Sequence, residues 1–523
     1  MSHYEAYLTG LSSRLLSLVN TSSYSSSYGC FDKNYWHFKT SDFPNAAKQQ
    51  GICGLAKFYN FKHKDNGLYK SQKVLDIITG GISFLKDIQK NDGSFDEWYY
   101  NERGWAGPTA YLVHALYDTY QEIKDDISKE LKSTIISIFQ KASPHLIESD
   151  EKHPLANHIA IAMLALVEIN DVHKDANLIK RYDELLDQLE SFFNQDEGWT
   201  LEYDGADPGY QSATLSFLAR IHRINNCKRV ERICLKSLEF IEKFCYPDGT
   251  FSLNMGSRHT TNIFYFGVEY FRETTSGSRI SNWIEDNFHS QTLPLDHDDN
   301  YFLYRVHELF DAYYESINKN TQKSAKIEYK SFNYPQAGIE AMRKGNVYII
   351  ISHSRGSVLQ VFDIEKKELI AIDNGLIVKN KKNVYTSLWF NGKEGKRNLT
   401  IIKEKHFTVF TFILFRLFFI IFARNRKLAY NFKNMIKHIL IFNKKPSKHF
   451  YTRDIVIQED QVLINDYIEM SNDDESHASF GDHYYSRYVP QSSLFNSKRF
   501  SNYFEVENIT FKSELKHTRR IKL

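Results

Sequence analysis

Cysteine is scarce in this sequence, with five residues in 523, and the five lack the spacing of zinc ligands. Their odd number gives no disulfide framework, so we expect reduced thiols. Long apolar runs are also absent. The most apolar segment, Phe407 to Ala423, is shorter than the roughly 20 residues of a membrane span and contains Arg416, so a spanning helix is not expected.

Positive and negative charges nearly balance, because the formal net charge is +2. No global field therefore attracts nucleic acid. A P-loop and a strand-linked G-x-G-x-x-G are missing, and we expect neither a cofactor nor a metal. The opening MSHYEAYLTGLSSRLLSLVN has no basic region followed by an apolar stretch and a cleavage site. We therefore expect a cytoplasmic protein, with peripheral contact to the inner face of the membrane as an addition.

A chain of this length predicts two or more domains. Aromatic residues are abundant, with 33 Tyr and 38 Phe. Such residues suit stacking on sugar rings, although large cores use them equally.

A recurring phrase is the strongest sign of organisation. NDGSFDEWYYNERGWAGPTAYLVHAL, DEGWTLEYDGADPGYQSATLSFLARI and PDGTFSLNMGSRHTTNIFYFGVEYF each contain an acidic-Gly turn, an aromatic residue, a polar loop and an amphipathic helix. Thr109 follows Gly93 at the spacing at which Thr214 follows Gly198. The turns recur with a period of roughly 50 residues, which indicates a repeated helix pair.

One unit of this repeat differs at its helix entry. NHIAIAMLALVEI, which begins at Asn157, occupies the expected position but opens with Asn-His. Stacked helix pairs bury their apolar faces against each other and can close into an α/α toroid. In such a ring the entry loops meet at one end, so Asn157 and His158 would lie beside the EYDGADPGYQ and GSRHTTN loops.

The pattern changes to β after a polar linker. NVYIIISHSRGSVLQVFDI, LIAIDNGLIVK and RDIVIQEDQVLINDYIEM are β-branched and separated by turn residues. We predict an α+β multidomain protein: an (α/α) toroid over 1–318, a linker over 319–331 and an antiparallel β-sandwich over 332–523.

An apolar and basic segment, about 406–445, interrupts the predicted sandwich. One interpretation, slightly favoured, is a helix buried between the two domains. The other is a helix in the membrane plane that contacts lipid through Phe407 to Lys427.

The residue types at the predicted entry loops suit proton abstraction from a uronic acid. Removing the C5 proton adds charge beside a carboxylate, so the enzyme must neutralise that carboxylate and supply a base. Asn157 and a protonated His158 are donors of the required kind. Tyr210, Tyr203 and His259 are candidates for proton transfer.

Four further residues are candidates for substrate binding. Arg258 can hold an acidic sugar in bidentate fashion, and Trp105, Glu202 and Asp204 lie in the same loops. Each candidate also has a structural interpretation. Asn157 is a common helix cap, for example, and Arg258 can pair with a loop carboxylate.

These features together resemble the heparinase II/III-like family of polysaccharide lyases. The resemblance rests on the helix-pair ring, the Asn-His pair, the Tyr-containing DG loop and the phrase FNYPQAGIEAMRKGNVYIII. It implies β-elimination on an acidic polysaccharide, in which Asn and His neutralise the uronate carboxylate, a Tyr is base or acid and a further His completes proton transfer. By this resemblance the roles fall on Asn157, His158, Tyr210 or Tyr203, and His259.

Three alternatives remain open. A uronate epimerase shares the first proton abstraction. A non-catalytic glycan-binding scaffold is favoured by the altered DG loop, in which Gly209 stands where the family has Glu. A class II terpene cyclase, a remote alternative, would use the acidic run that includes Asp296, Asp298 and Asp299. The expected partner is an acidic polysaccharide or a lipid-linked precursor in capsule, O-antigen or exopolysaccharide metabolism.

Overall fold

The computed structural model describes residues 3–149, 155–291, 293–322, 324–381, 383–388, 396–402, 408–439, 445–482 and 506–523. The N-terminal part is helical. Its helices are α1 His3–Thr9, α2 Ser12–Leu18, α3 Lys33–Trp36, α4 Ala46–Gln49, α5 Gly51–Asn60, α6 Gln72–Ile88, α7 Gly107–Ile123, α8 Lys129–Glu148, α9 Ala156–Val172, α10 Ala176–Ser191, α11 Pro208–Asn225, α12 Lys228–Glu242, α13 Phe266–Tyr270, α14 Thr275–Asn287 and α15 Asp299–Asn318.

Six of these helices form a closed inner ring. Helices α5, α7, α9, α11, α13 and α15 each contact the next, and α15 contacts α5. Helix α9 is buried on nearly all sides, which its apolar sequence requires, whereas the outer α10 and α12 bury one stripe each. The predicted α/α toroid is therefore present.

The repeated turns are similar in conformation and in packing. Gly93 and Gly198 have φ values of 84° and 82°. A Cβ atom would lie 1.9 Å from the carbonyl oxygen of Lys141 at the first position and 2.3 Å from that of Lys236 at the second. Glycine is thus required because each turn packs directly on the backbone of the following outer helix.

Charged side chains fill the interior of the ring. The Asp311 carboxylate lies 2.7 Å from Lys57 Nζ and 2.8 Å from Arg220 Nη2, and all three side chains are buried. Burial alone would raise the pKa of Asp311, but Lys57 and Arg220 hold it well below its usual value. His114 Nδ1 lies 2.7 Å from Glu168 Oε1 nearby.

We expect Asp311→Asn to lower the free energy of unfolding by ~3–5 kcal/mol, because it leaves two buried cations without their shared carboxylate. Urea unfolding followed by circular dichroism measures this loss. Asp299→Asn is the control, because it breaks an exposed pair with Arg14 and should cost only about 0–1 kcal/mol. Equal losses of unfolding free energy in both variants would contradict the stabilisation that we assign to the buried ion pairs of Asp311.

The C-terminal part contains two antiparallel sheets. The strands of the chain are β1 Phe193–Asn194, β2 Trp199–Thr200, β3 Phe332–Tyr334, β4 Ile339–Lys344, β5 Val347–Ser352, β6 Val358–Asp363, β7 Glu368–Asp373, β8 Leu376–Asn380, β9 Asn383–Thr386, β10 Arg397–Ile402, β11 Pro446–Ile457, β12 Gln461–Glu469, β13 Ser476–Gly481, β14 Val506–Phe511 and β15 Glu514–Lys522. The order is β3-β4-β5-β6-β7 in the first sheet and β14-β13-β8-β9-β10-β11-β12-β15 in the second, while β1 and β2 form a hairpin among the helices.

The five-stranded sheet is the middle layer of the molecule. Tyr348 and Ile350 of β5 join the core of the helical part, whereas Ile349 and Ile351 pack with Val462 of the larger sheet. This alternation follows from the two-residue period of a strand and explains why β5 is apolar on both faces. The sheets thus pack face to face, as predicted.

The apolar segment forms a helical hairpin of α16 Val409–Ile421 and α17 Arg426–Lys437. Phe419 is the buried residue of α16, whereas Phe410 is 69 % and Ile421 56 % exposed. The favoured interpretation of a buried helix is therefore wrong. Over the ranges that the structure describes, no helix combines the length and apolarity that crossing a bilayer would need.

Candidate active site

The predicted site residues lie on the loops that enter the inner helices and in the first turns of those helices. These loops contact one another, so one end of the ring carries a single cluster. In chain order its members are Trp105 before α7, Asn157 and His158 in the first turn of α9, Glu202, Tyr203 and Asp204 before α11, Tyr210 in the first turn of α11, and Arg258 and His259 before α13.

Asn157 is buried and contacts the loop before α11 and helix α7. Its Nδ2 donates to Glu202 Oε1 at 2.7 Å and its backbone N–H to Glu202 Oε2 at 3.3 Å. Its Oδ1 accepts from the Tyr111 hydroxyl at 3.2 Å. Leu155 occupies the N-cap position of α9, so Asn157 is not the helix cap. Its amide is instead fixed in orientation at the cluster.

Glu202 is the buried partner of Asn157. Burial raises the pKa of its carboxyl to about 8, against the hydrogen bonds from Asn157, which lower it. The group is therefore mostly protonated at neutral pH. Glu202 can hold the Asn157 amide without placing a full negative charge beside it.

His158 lies beside two aromatic rings. Its ring centroid is 5.1 Å from that of Trp105 and 6.5 Å from that of Tyr111. Burial lowers the pKa of His158 well below its usual value, and Lys437 and Lys433 add to the decrease. The imidazole is therefore neutral at neutral pH, whereas the sequence-based mechanism used a protonated ring.

Arg258 stands next to both candidate tyrosines. Its guanidinium carbon is 4.0 Å from the ring centroid of Tyr203, whose backbone φ is 61°. Burial lowers the pKa of Arg258, but Tyr203 and then Tyr210 outweigh this effect and raise it. Burial and neighbouring phenols, Tyr210 among them, also raise the pKa values of Tyr111 and Tyr301. Tyr210 is thus close enough to the arginine and to a group of tyrosines to affect their pKa values.

The remaining predicted residues lie in the same loops. His259 is fully buried with a φ of 55°, a conformation that L-residues adopt at a cost and that is frequent at functional sites. Asp204 Oδ1 lies 3.4 Å from Nη2 of Arg355, which belongs to the β part. Through this contact the first sheet supports the DG loop. Within the helical part, Asp207 Oδ2 accepts from the Arg258 backbone N–H at 2.7 Å.

Three neighbours of the cluster were missed in the sequence. Tyr111 lies in the repeated phrase and was detectable there. Lys433 and Lys437 come from α17, which no sequence pattern connects to the ring. Lys433 Nζ lies 2.5 Å from Glu102 Oε1 and 2.7 Å from the Trp105 ring centroid, and Lys437 Nζ lies 5.1 Å from that centroid. Trp105 therefore supports two cations and His158.

The acidic run of the terpene-cyclase alternative has structural roles. Asp298 caps α15 by accepting from the Tyr301 backbone N–H, and Asp296 accepts from the backbone N–H of Leu293. Asp299 pairs with Arg14. These contacts explain the run without a catalytic acid.

A cavity of about 870 Å³ lies in the β part. It is lined by residues of both sheets, including His353, Arg453 and His517. None of the predicted site residues lines it, so the cluster and this cavity are separate places.

Residues 68–280 match the family model of the ulvan lyase N-terminal domain. This range contains every predicted site residue, from Trp105 to His259. No curated protein sequence matches the chain.

Solved structures extend the likeness beyond that range. Chondroitin AC lyase of Streptomyces coelicolor A3, solved in complex with chondroitin sulphate, is 10 % identical, covers 100 % of this chain and 79 % of its own, and gives a TM-score of 0.57. A Paenibacillus xanthan lyase is also 10 % identical, over 91 % of this chain and 46 % of its own, with a TM-score of 0.52. A heparinase III structure is also 10 % identical and gives a TM-score of 0.43.

Identities near 10 % show a shared fold rather than a shared substrate. The fold prediction and the resemblance are confirmed at that level. The chain shares the fold of the chondroitin AC lyase and the xanthan lyase, an α/α toroid followed by antiparallel β-sheets.

Proposed function

We propose that the protein is a polysaccharide lyase that cleaves an acidic, uronate-containing glycan by β-elimination. The observation that carries the proposal is the cluster itself, in which Asn157, His158, Tyr210 and Arg258 meet at one end of the toroid. These are the residue types that proton abstraction beside a carboxylate requires. The matched family and the lyase fold support the same reaction class.

Carboxylate neutralisation is assigned to donors that hold their protons at neutral pH. Asn157 Nδ2 carries a second hydrogen besides the one donated to Glu202, and Arg258 provides a permanent positive charge. The neutral imidazole of His158 can donate one N–H. The cations of α17 add a positive potential, which favours an anionic substrate.

Tyr210 is assigned the proton transfers. Its phenolate removes the proton from C5, the electron pair forms the C4–C5 double bond, and the C4–O4 bond breaks. The same phenol then protonates O4 of the leaving sugar. Arg258 favours the phenolate that the first step needs, and Tyr203, stacked on Arg258, holds the guanidinium in place.

The direct test is incubation of the purified protein with a panel of uronate-containing polysaccharides while the ultraviolet absorbance of the unsaturated product is followed. A rise in absorbance supports the lyase. Without a rise, deuterium uptake at C5 from heavy water would identify an epimerase, because that reaction returns a solvent proton to the same carbon. Absence of both signals would leave a glycan-binding scaffold and overturn the catalytic proposal.

Substrate binding should weaken with rising pH. The raised pKa of Glu202, about 8, means that the carboxyl is neutral below this pH and ionised above it. An ionised Glu202 would repel the substrate carboxylate, so we expect KM to rise roughly tenfold as the pH passes through about 8. Glu202→Gln keeps a neutral side chain and should remove this rise. An equal rise in both proteins would show that another group titrates.

The proposed substrate is an acidic polysaccharide or a lipid-linked glycan precursor, and the proposed place of action is close to a membrane. The basic and apolar hairpin supports this location, because Phe407 to Lys427 lies within a stretch from Lys405 to Arg453 that contains no acidic residue.

A further inference from the structure

The outer surface of the hairpin is the most apolar surface among the described residues. Its large exposed side chains are Val409, Phe410, Phe412, Ile413, Leu414, Leu417, Ile420, Ile421, Phe422, Leu428, Met435 and Ile439. More than half of the exposed large apolar side chains of the described chain lie in this one element. Soluble surfaces rarely carry a contiguous apolar patch of such extent without a partner.

The inner side of the hairpin is firmly attached to the toroid. The rings of Phe415 and Phe419 lie 4.9 and 4.8 Å from that of Tyr99, and Asn101 Nδ2 donates to the Phe419 carbonyl oxygen at 3.1 Å. Arg426 Nη1 lies 2.5 Å from Glu148 Oε2. The hairpin is therefore held in a defined position with its apolar surface outward.

The charges of the hairpin indicate what covers this surface. From residue 408 to residue 439 the sequence has six Lys and Arg residues and neither Asp nor Glu. Arg424 and Lys427, in and beside the turn between the helices, are exposed, and the described residues give them no acidic partner. An apolar helix face with two exposed cations at one end is complementary to an anionic lipid surface.

The length of α16 determines how it can meet a bilayer. Thirteen residues span about 20 Å, less than the ~30 Å of the hydrocarbon core, so the helix can lie in the interface but cannot cross. We propose that the α16–α17 hairpin docks the protein on an anionic bilayer, with α16 in the plane of the head groups.

Docking through this hairpin would place the candidate active site at the membrane. The inner side of α17 carries Lys433 and Lys437 to Trp105, beside His158. Docking of the hairpin on a bilayer does not depend on the proposed lyase reaction. The further consequence, that the glycan is processed next to the bilayer, rests on the proposed function.

Sedimentation of the purified full chain with lipid vesicles tests the proposal. We expect binding to phosphatidylcholine vesicles that contain phosphatidylglycerol, weaker binding to pure phosphatidylcholine, and a decrease with added salt. The double variant Ile413→Glu/Leu417→Glu should reduce binding at least about tenfold, because two charges would enter the interface. Both side chains are exposed, so the helical circular dichroism and melting temperature should not change.

A matched control carries the same charges elsewhere. Ile179→Glu/Ile317→Glu replaces exposed isoleucines of α10 and α15 and should bind vesicles as the native protein does. Equal binding by the hairpin variant, or no binding of the native protein to either vesicle, would overturn the proposal. So would a native dimer in light scattering that the hairpin variant converts to a monomer, since a second copy would then cover the surface. None of these measurements depends on lyase activity.

Discussion

Tyr210→Phe should lower kcat by ~10²–10⁴-fold on any glycan that the native protein cleaves, which is the usual contribution of a positioned acid or base. The substitution removes the hydroxyl that we assign to both proton transfers and keeps the ring. KM should change little, because Arg258 and Asn157, to which we assign carboxylate binding, remain. Initial rates from product absorbance, measured over a range of glycan concentrations, separate the two parameters.

Tyr203→Phe is the matched control for this prediction. Its ring stacks on Arg258 at 4.0 Å, and phenylalanine keeps most of that contact. We expect a loss of less than about tenfold. If Tyr203→Phe were inactive and Tyr210→Phe active, the assignment of the two tyrosines would be reversed. If both variants retained full kcat, proton transfer by either tyrosine would be refuted.

Asn157→Ala should lower kcat by ~10²–10³-fold, the size typical of one lost donor to a developing oxyanion. In the proposed mechanism charge accumulates on the carboxylate as the C5 proton leaves, so we expect the Asn157 amide to contribute most in the transition state. The substitution also removes the side-chain donor to Glu202 while keeping the backbone N–H at 3.3 Å, so the melting temperature must be measured alongside activity to separate misfolding from lost catalysis.

Asn170→Ala on the same helix is the control for position. Asn170 is near the C-terminal end of α9, where its Oδ1 accepts from the backbone N–H of Asp175. We expect kcat to remain at the native value in this variant. A native kcat in Asn157→Ala itself, with a folded protein, would remove the asparagine from the mechanism.

Much of the fold was predictable because its signals are local. The helix pairs follow from apolar spacing, and the turns at Gly93 and Gly198 follow from repeated acidic-Gly phrases. The same repeat placed Asn157 at a helix entry and therefore near the other entry loops. The residue types of the cluster could be read from those entries alone, and the chemistry that we assign to them remains a proposal.

The protonation of the cluster was not predictable from residue types. The sequence-based mechanism took His158 as a cation, but burial and two lysines keep the imidazole neutral. Glu202 is likewise a carboxylic acid at neutral pH only because its environment is buried. Burial and the approach of distant charges are properties of the folded chain.

Local patterns specify the helix-pair ring, the β part and the residues at the ring entry, since periodicity and turn composition act over a few residues. The position of the hairpin depends instead on tertiary packing. Its lysines reach Trp105 from more than 300 positions away, and α16 is exposed because the toroid contacts only one stripe of it. Such contacts between remote segments depend on how whole elements pack, which no local pattern contains.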